Sequence, residues 1–554
     1  MASDQVRIIP LGGVGEVGKN STAIETDKDL VLVDAGVMFP EEQMFGIDLV
    51  IPDYSYIIAN QERLRGVILT HGHDDHIGGL PYLLQQLTVR VPVYGTALTL
   101  GLAATRAREL RVLDRAHMCP LAPGERTQLG SLWLELFHVT HSVPDAAGII
   151  LRTPAGTIVH TGDFKLDPTP VDAWPTDLAR LRRLSGEGVL VLLSDCVRVE
   201  ESGHTPSERV VGETLDGIVA TATGRVIVTT FASNITRLDQ TVRIAERHGR
   251  KVAIAGRSMA QNLAVAKELG YLELPPGVLV DLAQARNLAP ERVVLLTTGS
   301  QGEPTSVLAR IAAGDHPQIH VDERDTVVIA ANPVPGNEET VARTIDNLFR
   351  RGAKVIYGAV SEGVHVSGHG SRDELREMLN AVQPRFVVPM HGEYRHMVLY
   401  QALAAEAGIS PDRVLLPEVG QVLEFSAEGA ESVGRVASGS VLVDGLTVGG
   451  VTQAVLRERG RLAEDGVLIA SLVVDRETGE LLGGPELVAR GFAEPDPSHL
   501  LDDARDRLVR ALEHRESGEV EYGFLVRKIH DTLGKFIYQQ TRRRPMILPV
   551  VTEV

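Results

Sequence analysis

The amino-acid sequence predicts an α/β protein built from several domains. At 554 residues the chain is long enough for two to four domains, each with its own core. From about residue 6 to 200, short strands separated by turn signals dominate. From about 209 to 365, strands and helices alternate, which is typical of a parallel α/β domain. A strand-like segment, RFVVPMHGEYRH, then restores the style of the first region.

The first region consists of short β-branched runs such as RIIPL, LVLVDAG, GVILTHG and GTIVHTGD, each bounded by turn residues. Helical patterns are fewer and are predicted at 79–87 and 96–113. The strand ends repeatedly carry a histidine or an aspartate. These residues are Asp34, His71, His141, Asp163 and Asp195. A β-rich scaffold with such ends presents a polar site from one edge.

A glycine-rich stretch near the start, GGVGEVGKN at 12–20, has the spacing of a dinucleotide-binding motif and nearly matches a phosphate loop. Either motif must open a helix, whose N-terminus then meets the phosphate. The residues that follow, STAIET and LVLVD, alternate or are β-branched and therefore predict strands. The stretch is interpreted as a turn between two strands, not as a nucleotide site.

The second region predicts an insert within the first domain. The strands RVIVTTF, KVAIAG and TVVIAANPVPG are each followed by a helical pattern, at 235–248, 259–269 and 338–351. Because the strand ending in His391 resembles the first region, the first domain is expected to resume after the insert. The C-terminal segment is expected to be a small α/β domain, with FIYQQ and MILPVV as strands around the basic residues 541–544. The predicted boundaries are 1–208 and 369–447 for the first domain, 209–368 for the insert, 448–464 for a linker and 465–554 for the C-terminal domain.

Composition limits the function classes. The net charge is −18, which argues against a general nucleic-acid coat protein but not against an enzyme that needs positive charge or metal only along its substrate path. Cys119 and Cys196 are the only cysteines and lie far apart, so neither a disulfide framework nor a zinc ribbon is expected. No apolar run of membrane-spanning length and no signal peptide is visible. A cytoplasmic protein without a membrane partner is expected.

The stretch THGHDDHIGG directly follows the apolar run at 67–69 and holds the pattern HxHxDH, formed by His71, His73, Asp75 and His76. A polar loop after a strand is common, but three histidines in six positions are not. Imidazoles and carboxylates are the donors that zinc or manganese requires. The alternation in His-x-His lets the rings of His71 and His73 project to one side, while Asp75 and His76 can reach a second ion. Further ligands are offered at strand ends by His141, Asp163 and His391.

These motifs together resemble the metallo-β-lactamase superfamily. The resemblance implies an αββα sandwich, with a first ion held by His71, His73 and His141 and a second by Asp75, His76 and His391. Asp163 would bridge the two ions, and Asp34 would support a ligand from behind. The cofactors would be two divalent ions, Zn²⁺ or Mn²⁺, with an additional structural cation near Asp48 and Asp444 as a weaker prediction. Ordinary turn aspartates explain that last pair equally well.

The insert narrows the resemblance to the β-CASP subfamily, whose members process nucleic acids. Asp195 in VLLSDC, His369 in HVSGHG and His391 match three positions that this subfamily carries. Across nearly its full length the chain resembles the bacterial ribonuclease J family. The supporting stretches are GGVGEVGKN, HGHDDHIGGLP, FHVTHSVPD, HTGDFKLD, TTFASNI, HVSGHGS, PMHGEYRH and GPELVARGF. One departure is Cys196-Val197-Arg198, where more polar residues are expected, but Asp195 itself is intact.

The resemblance implies a metal-dependent ribonuclease that degrades RNA from a single-stranded 5′ end held in a channel, prefers a 5′-monophosphate and also cuts internally. Its roles would be rRNA processing and mRNA decay, as a homodimer or tetramer with RNA-decay partners. His369, next to the metals, would act as general acid or bind the scissile phosphate. Phosphate would be bound by His365, Val366, Ser367, Gly368 and His369, and by the turn at Ser233 and Asn234. The alternatives are a polar turn packed against the insert and, for the second turn, a helix N-cap.

Three other functions compete with this one. A hydrolase for acyl esters or lactams would use the same metal core, but it needs neither the insert nor His369. A DNA nuclease of the same subfamily stays open, because residues that sense a 2′-hydroxyl are not visible in the sequence. A non-catalytic scaffold predicts gaps among the metal ligands, and none is missing.

Overall fold

The computed structural model describes residues 5–41, 43–334, 336–445, 447–476, 478, 480–491, 497–513 and 522–554. The chain forms two compact units. The first comprises Met1–Phe39 and Leu49–Val441, and the second comprises Pro40–Asp48 and Leu442–Val554. The sheets and helices of each unit are given below for that unit alone.

Two sheets face each other in the first unit. The larger has eight strands in the order Ala430–Arg435, Gln421–Ser426, Gln5–Gly12, Ser21–Glu25, Leu30–Val33, Leu64–Ile68, Val91–Gly95 and Ala116–Pro120. The smaller has six strands in the order Phe386–Met390, Val191–Asp195, Gly156–His160, Ala147–Thr153, Leu132–His138 and Arg126–Leu129. One continuous apolar core contains residues of both sheets. This arrangement is the predicted β-sandwich.

Helices complete the sandwich. The same core includes residues of Leu178–Glu187, Arg372–Val382 and Tyr394–Glu406, whose apolar side chains recur at helical spacing. Helices Leu80–Gln86 and Ala97–Glu109 lie within the predicted 79–87 and 96–113. The shorter helical segments are Ser55–Ala59, Gln61–Arg63, Asp74–Ile77, Leu113–Arg115 and Pro411–Arg413. The αββα class predicted from the motifs is therefore confirmed.

The insert is a separate parallel sheet with its own core. Its strands have the order Lys251–Ala255, Val293–Thr297, Val226–Thr229, Thr326–Ile329 and Lys354–Ile356, and every pairing is parallel. Its helices are Glu208–Thr221, Ile235–Arg247, Arg257–Glu268, Leu282–Arg286, Val307–Ala313 and Glu338–Arg350, with a short turn of helix at Pro290–Arg292. The strand order reverses beside Val226–Thr229, and ligands of such sheets bind at the carboxyl ends of strands near a reversal. Ser233 and Asn234 follow that strand end.

The first domain does resume after the insert, since Phe386–Met390 pairs in parallel with Val191–Asp195. The glycine-rich stretch at 12–20 connects strands Gln5–Gly12 and Ser21–Glu25, with a two-residue strand at Val14–Gly15. No helix begins at its end. The prediction of a turn between two strands is confirmed, and the helix that a nucleotide site requires is absent from this described part of the chain.

The second unit has a three-stranded sheet in the order Leu481–Arg490, Val467–Val474 and Met546–Glu553. Its helices are Gln453–Asp465, Pro497–Glu513 and Tyr522–Thr541, and strand Thr447–Val448 pairs with the end of Ser440–Asp444. The prediction that FIYQQ forms a strand is wrong, because these residues lie in the helix Tyr522–Thr541. Its buried side chains recur at helical spacing and enter the core of this unit, namely Leu525, Ile529, Leu533, Phe536 and Ile537. The segment MILPVV is a strand, as predicted.

Candidate active site

The histidine motif lies where the strand Leu64–Ile68 ends. The second half of the motif forms a single helical turn, Asp74–Ile77, which begins directly after His73. His71 and His76 are buried, whereas His73 and Asp75 are partly exposed. The strand end and the short helix thus aim four donor side chains at one place.

The first group of donors brings together His71, His73, His141 and Asp163, with one ligand atom of each within 4.8 Å of the others. His73 Nδ1 lies 3.0 Å from His71 Nε2 and 3.1 Å from His141 Nε2. These spacings are near those of nitrogen ligands on an ion bound at roughly 2.1 Å. Burial and the neighbouring imidazoles hold the pKa values of His71 and His141 well below the usual range, and burial lowers the pKa of His73 to about 4. Neutral imidazoles are the form that binds metal.

The second group consists of Asp75, His76, His391 and the same Asp163, again within 4.8 Å of one another. Asp163 Oδ2 lies 3.1 Å from His76 Nε2 and 3.7 Å from His391 Nε2. It also lies 3.6 Å from His71 Nε2, in the first group. One carboxylate is therefore shared by both groups, at the position that the resemblance gives to a bridging ligand.

The donor set fits two divalent cations. Five imidazole nitrogens and two carboxylates converge in a buried space, where so many acceptor atoms repel each other unless positive charge lies between them. Mixed imidazole and carboxylate donors accept zinc and also manganese. His71, His73, His141 and Asp163 would hold one ion, and Asp75, His76, His391 and Asp163 the other.

Asp34 orients His76 by contacting the ring nitrogen that faces away from the second group of donors. Its Oδ2 lies 2.7 Å from His76 Nδ1, and its two oxygens accept the amide and hydroxyl hydrogens of Thr70, each at 2.8 Å. Asp34 adopts a left-handed φ of 58°, a conformation that costs about 1–3 kcal/mol and clusters at functional sites. The side chain is 1% exposed. Asp34 therefore fixes which nitrogen of His76 faces the ion position, in keeping with the supporting role predicted for it.

Asn20 orients His391, another residue of the second group, and was missed by sequence reasoning. Its Oδ1 lies 3.0 Å from His391 Nδ1, and its amide nitrogen donates to the carbonyl oxygen of Asp75 at 3.1 Å. The signal was present, because Asn20 ends the glycine-rich turn that had no assigned purpose. That turn carries Asn20 across to the metal ligands.

His369 projects toward the ligands from the segment after the insert. Its Nδ1 lies 2.7 Å from Asp195 Oδ2, and its Nε2 lies 4.0 Å from Asp163 Oδ2. Burial alone would lower the pKa of His369, but the carboxylates of Asp195 and Asp163 outweigh it and raise that pKa to about 9. Asp163, Asp195 and His369 also lie within 4.8 Å of one another. Nε2 is thus a proton-bearing atom facing the metal positions.

The segment 365–369 joins the metal ligands to the insert. The Gly368 carbonyl lies 2.8 Å from His141 Nδ1, and a Cβ added at Gly368 would meet His141 Cε1 at 2.5 Å, so only glycine fits there. Ser367 Oγ accepts the backbone N–H of His369 at 3.1 Å. At the other end, His365 Nδ1 lies 3.2 Å from a guanidinium nitrogen of Arg237. Val366, between these two contacts, is buried.

Arg237 was not anticipated from the sequence. It is completely buried, forms an ion pair with Glu208 at 2.6 Å, and lies in the first turn of the helix Ile235–Arg247. Burial, Arg237 and Arg198 together lower the pKa of His365 to about 3, so that ring is neutral. Asn234 Oδ1 caps the helix by accepting the N–H of Arg237 at 3.0 Å, which is the alternative considered for this turn. Ser233 is partly exposed beside it.

Asp48 and Asp444 are both engaged by protein groups. Asp48 Oδ2 accepts the N–H of Gly445 at 2.7 Å, and Asp444 forms an ion pair with Arg459. Among the residues that the structure describes, the groups of donors spaced for a metal ion do not include either aspartate. A structural cation here stays a prediction without added support.

The fold and the site define a class, that of metallo-β-lactamase-fold hydrolases. The family model of the metallo-beta-lactamase superfamily matches residues 14–191, and the Zn-dependent metallo-hydrolase RNA specificity domain matches 354–417. The Ribonuclease J beta-CASP domain matches 223–348, and the Ribonuclease J C-terminal domain matches 454–554. The chain belongs to the ribonuclease J family of metal-dependent ribonucleases.

Individual members of this family are similar in sequence to the chain over nearly their full length. The chain is 40% identical to Ribonuclease J2 of Bacillus subtilis, covering 100% of this chain and 99% of the relative. It is 42% identical to Ribonuclease J of Thermus thermophilus, covering 99% and 96%. A solved structure from Enterococcus faecalis, a protein of unknown function, matches with a TM-score of 0.53 at 16% identity over 76% of this chain and 99% of that one. This last likeness concerns the fold alone.

No helix in the part of the chain that the structure describes is long and apolar enough to cross a bilayer.

Proposed function

We propose that this protein is a two-metal ribonuclease that removes nucleotides from the 5′ end of RNA in the 3′ direction, prefers a 5′-monophosphate, and also cuts internally. One observation carries the proposal. The segment 365–369 contacts the first group of metal ligands through Gly368 and the insert through His365, so one short peptide links the cleavage site to a second polar site. Two sites at a fixed separation are what stepwise removal of nucleotides requires.

Two divalent ions held by these residues would supply Lewis-acid activation of water and charge stabilisation for phosphodiester hydrolysis. The chain's own residues orient the ligand side chains and provide the proton for the leaving group. Asp34 and Asn20 fix the rings of His76 and His391, so the ligand nitrogens stay aimed at the ion positions. His369 holds a proton on Nε2 and can deliver it to the departing 3′ oxygen. The carboxylate of Asp195 meanwhile accepts a hydrogen bond from Nδ1 of the same ring and fixes its orientation.

The 5′-phosphate would lie near Ser367 and the Ser233–Asn234 turn. The hydroxyl hydrogen of Ser367 is not used by the bond that its oxygen accepts from His369. The Asn234 oxygen is used as a helix cap, so its contribution would come from its amide group and from the helix N-terminus, where anions are favoured. A triphosphate is bulkier and more charged than a monophosphate, and it is expected to fit poorly.

Product analysis on 5′-labelled RNA tests this function. RNAs with a monophosphate, triphosphate or hydroxyl end are incubated with the full-length chain and Mn²⁺ or Zn²⁺. Labelled mononucleotide is expected to be released fastest from the monophosphate. Replacing Ser367 with alanine removes a charge-assisted hydrogen bond worth roughly 1.5–3 kcal/mol, so mononucleotide release should slow tenfold or more while internal cutting persists.

Ser361→Ala is the matched control, since Ser361 lies in the same loop six residues earlier and should leave both activities unchanged. If Ser367→Ala lowers exonucleolytic and internal cleavage equally, these residues serve the scissile phosphate and the 5′ pocket lies elsewhere.

We further propose a homodimer or tetramer that involves the second unit. The strand Met546–Glu553 lies at the edge of its sheet and exposes Leu548 and Val550, an apolar pair that water disfavours. A chain truncated near residue 460 should therefore sediment as a monomer and degrade RNA more slowly. A truncated chain whose molar mass by sedimentation is still that of a dimer or tetramer would contradict this role.

The proposed setting is the cytoplasm, in rRNA processing and mRNA decay together with RNA-decay partners. Hydrolysis of DNA or of acyl esters by the same metal core is the competing function. An equivalent rate on the DNA oligonucleotide of identical sequence would favour the DNA alternative, and cleavage of an ester without cleavage of RNA would favour the acyl one.

A further inference from the structure

Trp174 is an exposed aromatic side chain with one face already covered. Its indole stacks on the ring of His138, with centroids 3.9 Å apart and planes inclined by only 8°. His138 is buried, and its Nδ1 lies 3.2 Å from the Pro175 carbonyl, so the supporting ring is fixed. Trp174 itself stays 44% exposed, which is unusual for the largest apolar side chain. The structure thus holds a rigid indole with an open surface.

A cavity lies beside His138, the ring on which this indole stacks, and extends to His141 of the first donor group. It passes between the segment that carries His141, the loop that precedes Trp174, and two elements of the insert. His138 and His141 both contribute to its wall, and it admits a group of about the size of a water molecule. The remaining lining residues include Thr140, Asp167, Asp172, Glu208 and Thr236.

Three buried polar atoms of this wall lack a hydrogen-bond partner among the described residues. They are Asp167 Oδ2, Glu208 Oε2 and Thr140 Oγ1. The three residues are only 2%, 3% and 7% exposed, so bulk water offers these atoms little hydrogen bonding. A buried acceptor without a donor costs roughly 1–3 kcal/mol. The cavity therefore favours a small group that donates hydrogen bonds.

We propose that Trp174 and this cavity form a nucleobase subsite for the RNA chain beside the metal centre. A base stacks on the open face of the indole, and its exocyclic amino group enters the cavity and donates to Asp167. Adenine, cytosine and guanine carry such an amino group, whereas uracil presents a carbonyl oxygen that the carboxylates repel. The exposed guanidinium of Arg209, which donates to the Pro170 carbonyl at the cavity wall, offers positive charge to the adjoining phosphate. This inference rests on RNA being the substrate.

Fluorescence of the full-length chain tests the subsite directly, because the sequence holds only two tryptophans. Trp133→Phe leaves Trp174 as the sole indole, and Trp174→Phe leaves Trp133, which is 46% exposed on the strand Leu132–His138. Chelator-treated protein is titrated with 5′-monophosphorylated oligoadenylate. Saturable quenching is expected in the first variant and none in the second. Equal quenching in both, or in neither, overturns the proposal.

Affinity provides the second measurement. Stacking of one base contributes roughly 1–3 kcal/mol, so Trp174→Ala should raise the Kd for oligoadenylate about 5- to 150-fold, and Trp133→Ala should leave it unchanged. Oligouridylate should bind more weakly than oligoadenylate to the unmodified chain. Asp167→Asn replaces an acceptor oxygen with an amide donor and should reverse that preference.

Different results would contradict the Trp174 subsite and the proposed ribonuclease function. If the unmodified chain binds and cleaves RNA while Trp174→Ala retains full affinity and Trp174 fluorescence does not respond, the subsite is wrong and the proposed function stands. If the unmodified chain neither binds nor cleaves RNA, the proposed function fails and the subsite fails with it.

Discussion

Substituting Asp163 with asparagine or alanine should abolish RNA cleavage and lower the amount of bound metal. Asp163 is the only side chain common to both groups of donors, and its Oδ2 lies between 3.1 and 4.0 Å from five histidine nitrogens in the structure. Without this carboxylate, two cations would repel each other across a buried space with one negative charge fewer. Several kcal/mol of charge stabilisation would be lost, which corresponds to a fall in rate of about 10³-fold or more.

Metal analysis and single-turnover cleavage of labelled RNA measure the two effects separately. Asp163→Asn preserves the size of the side chain, so a loss of metal in that variant reflects the charge and not a cavity. Asp216→Ala is the matched control, because Asp216 pairs on the surface of the insert with Arg247 and His248. Full metal content and normal cleavage in Asp163→Asn would remove Asp163 from the ligand set.

The candidate metal ligands could be anticipated from the sequence because most of them lie at strand ends. A strand end restricts the position of the next few residues. The motif at 71–76 and the positions 141, 163 and 391 each follow a strand end closely, so their locations in the fold are restricted as well. The resemblance then supplied the pairing of ligands with ions. In the structure these seven side chains do form two groups that share Asp163.

Partners that are distant in sequence could not be anticipated. Asn20 reaches His391 across 371 residues, and Arg237 reaches His365 across 128. Neither residue belongs to a pattern that names its partner, and the direction of a side chain in a loop is not encoded by periodicity. Asn20 was hidden further by a glycine spacing that suggested a phosphate loop.

The C-terminal segment shows a different limit. FIYQQ is short, apolar and rich in aromatic and β-branched residues, which favours a strand when those five residues are considered alone. The structure places it at the end of a twenty-residue helix, whose buried face continues from Leu525 through Ile529 and Leu533. A window of three or four turns is needed to detect that face. Tertiary packing against the sheet of the second unit then decides in favour of the helix.

Replacing His369 with alanine should slow the chemical step by about 10²- to 10⁴-fold while the metal content stays unchanged. This range is typical of losing a general acid. The structure supports the role, because His369 Nδ1 is held by Asp195 and Nε2 faces the shared carboxylate. His396→Ala is a suitable control, since His396 is also buried and hydrogen-bonded, to Glu200, but belongs to neither metal group. Loss of metal in His369→Ala would make His369 a ligand instead.

The pH dependence separates an acid from a phosphate-binding group. The neighbouring carboxylates, Asp195 first, raise the pKa of His369, so its protonated form is favoured at neutral pH and is lost as the pH rises. The single-turnover rate should accordingly fall on the alkaline side. Asp195 is the carboxylate that contributes most to the raised pKa. Asp195→Asn should therefore move the alkaline fall to lower pH, and a rate that drops equally at every pH would show that Asp195 only positions the ring.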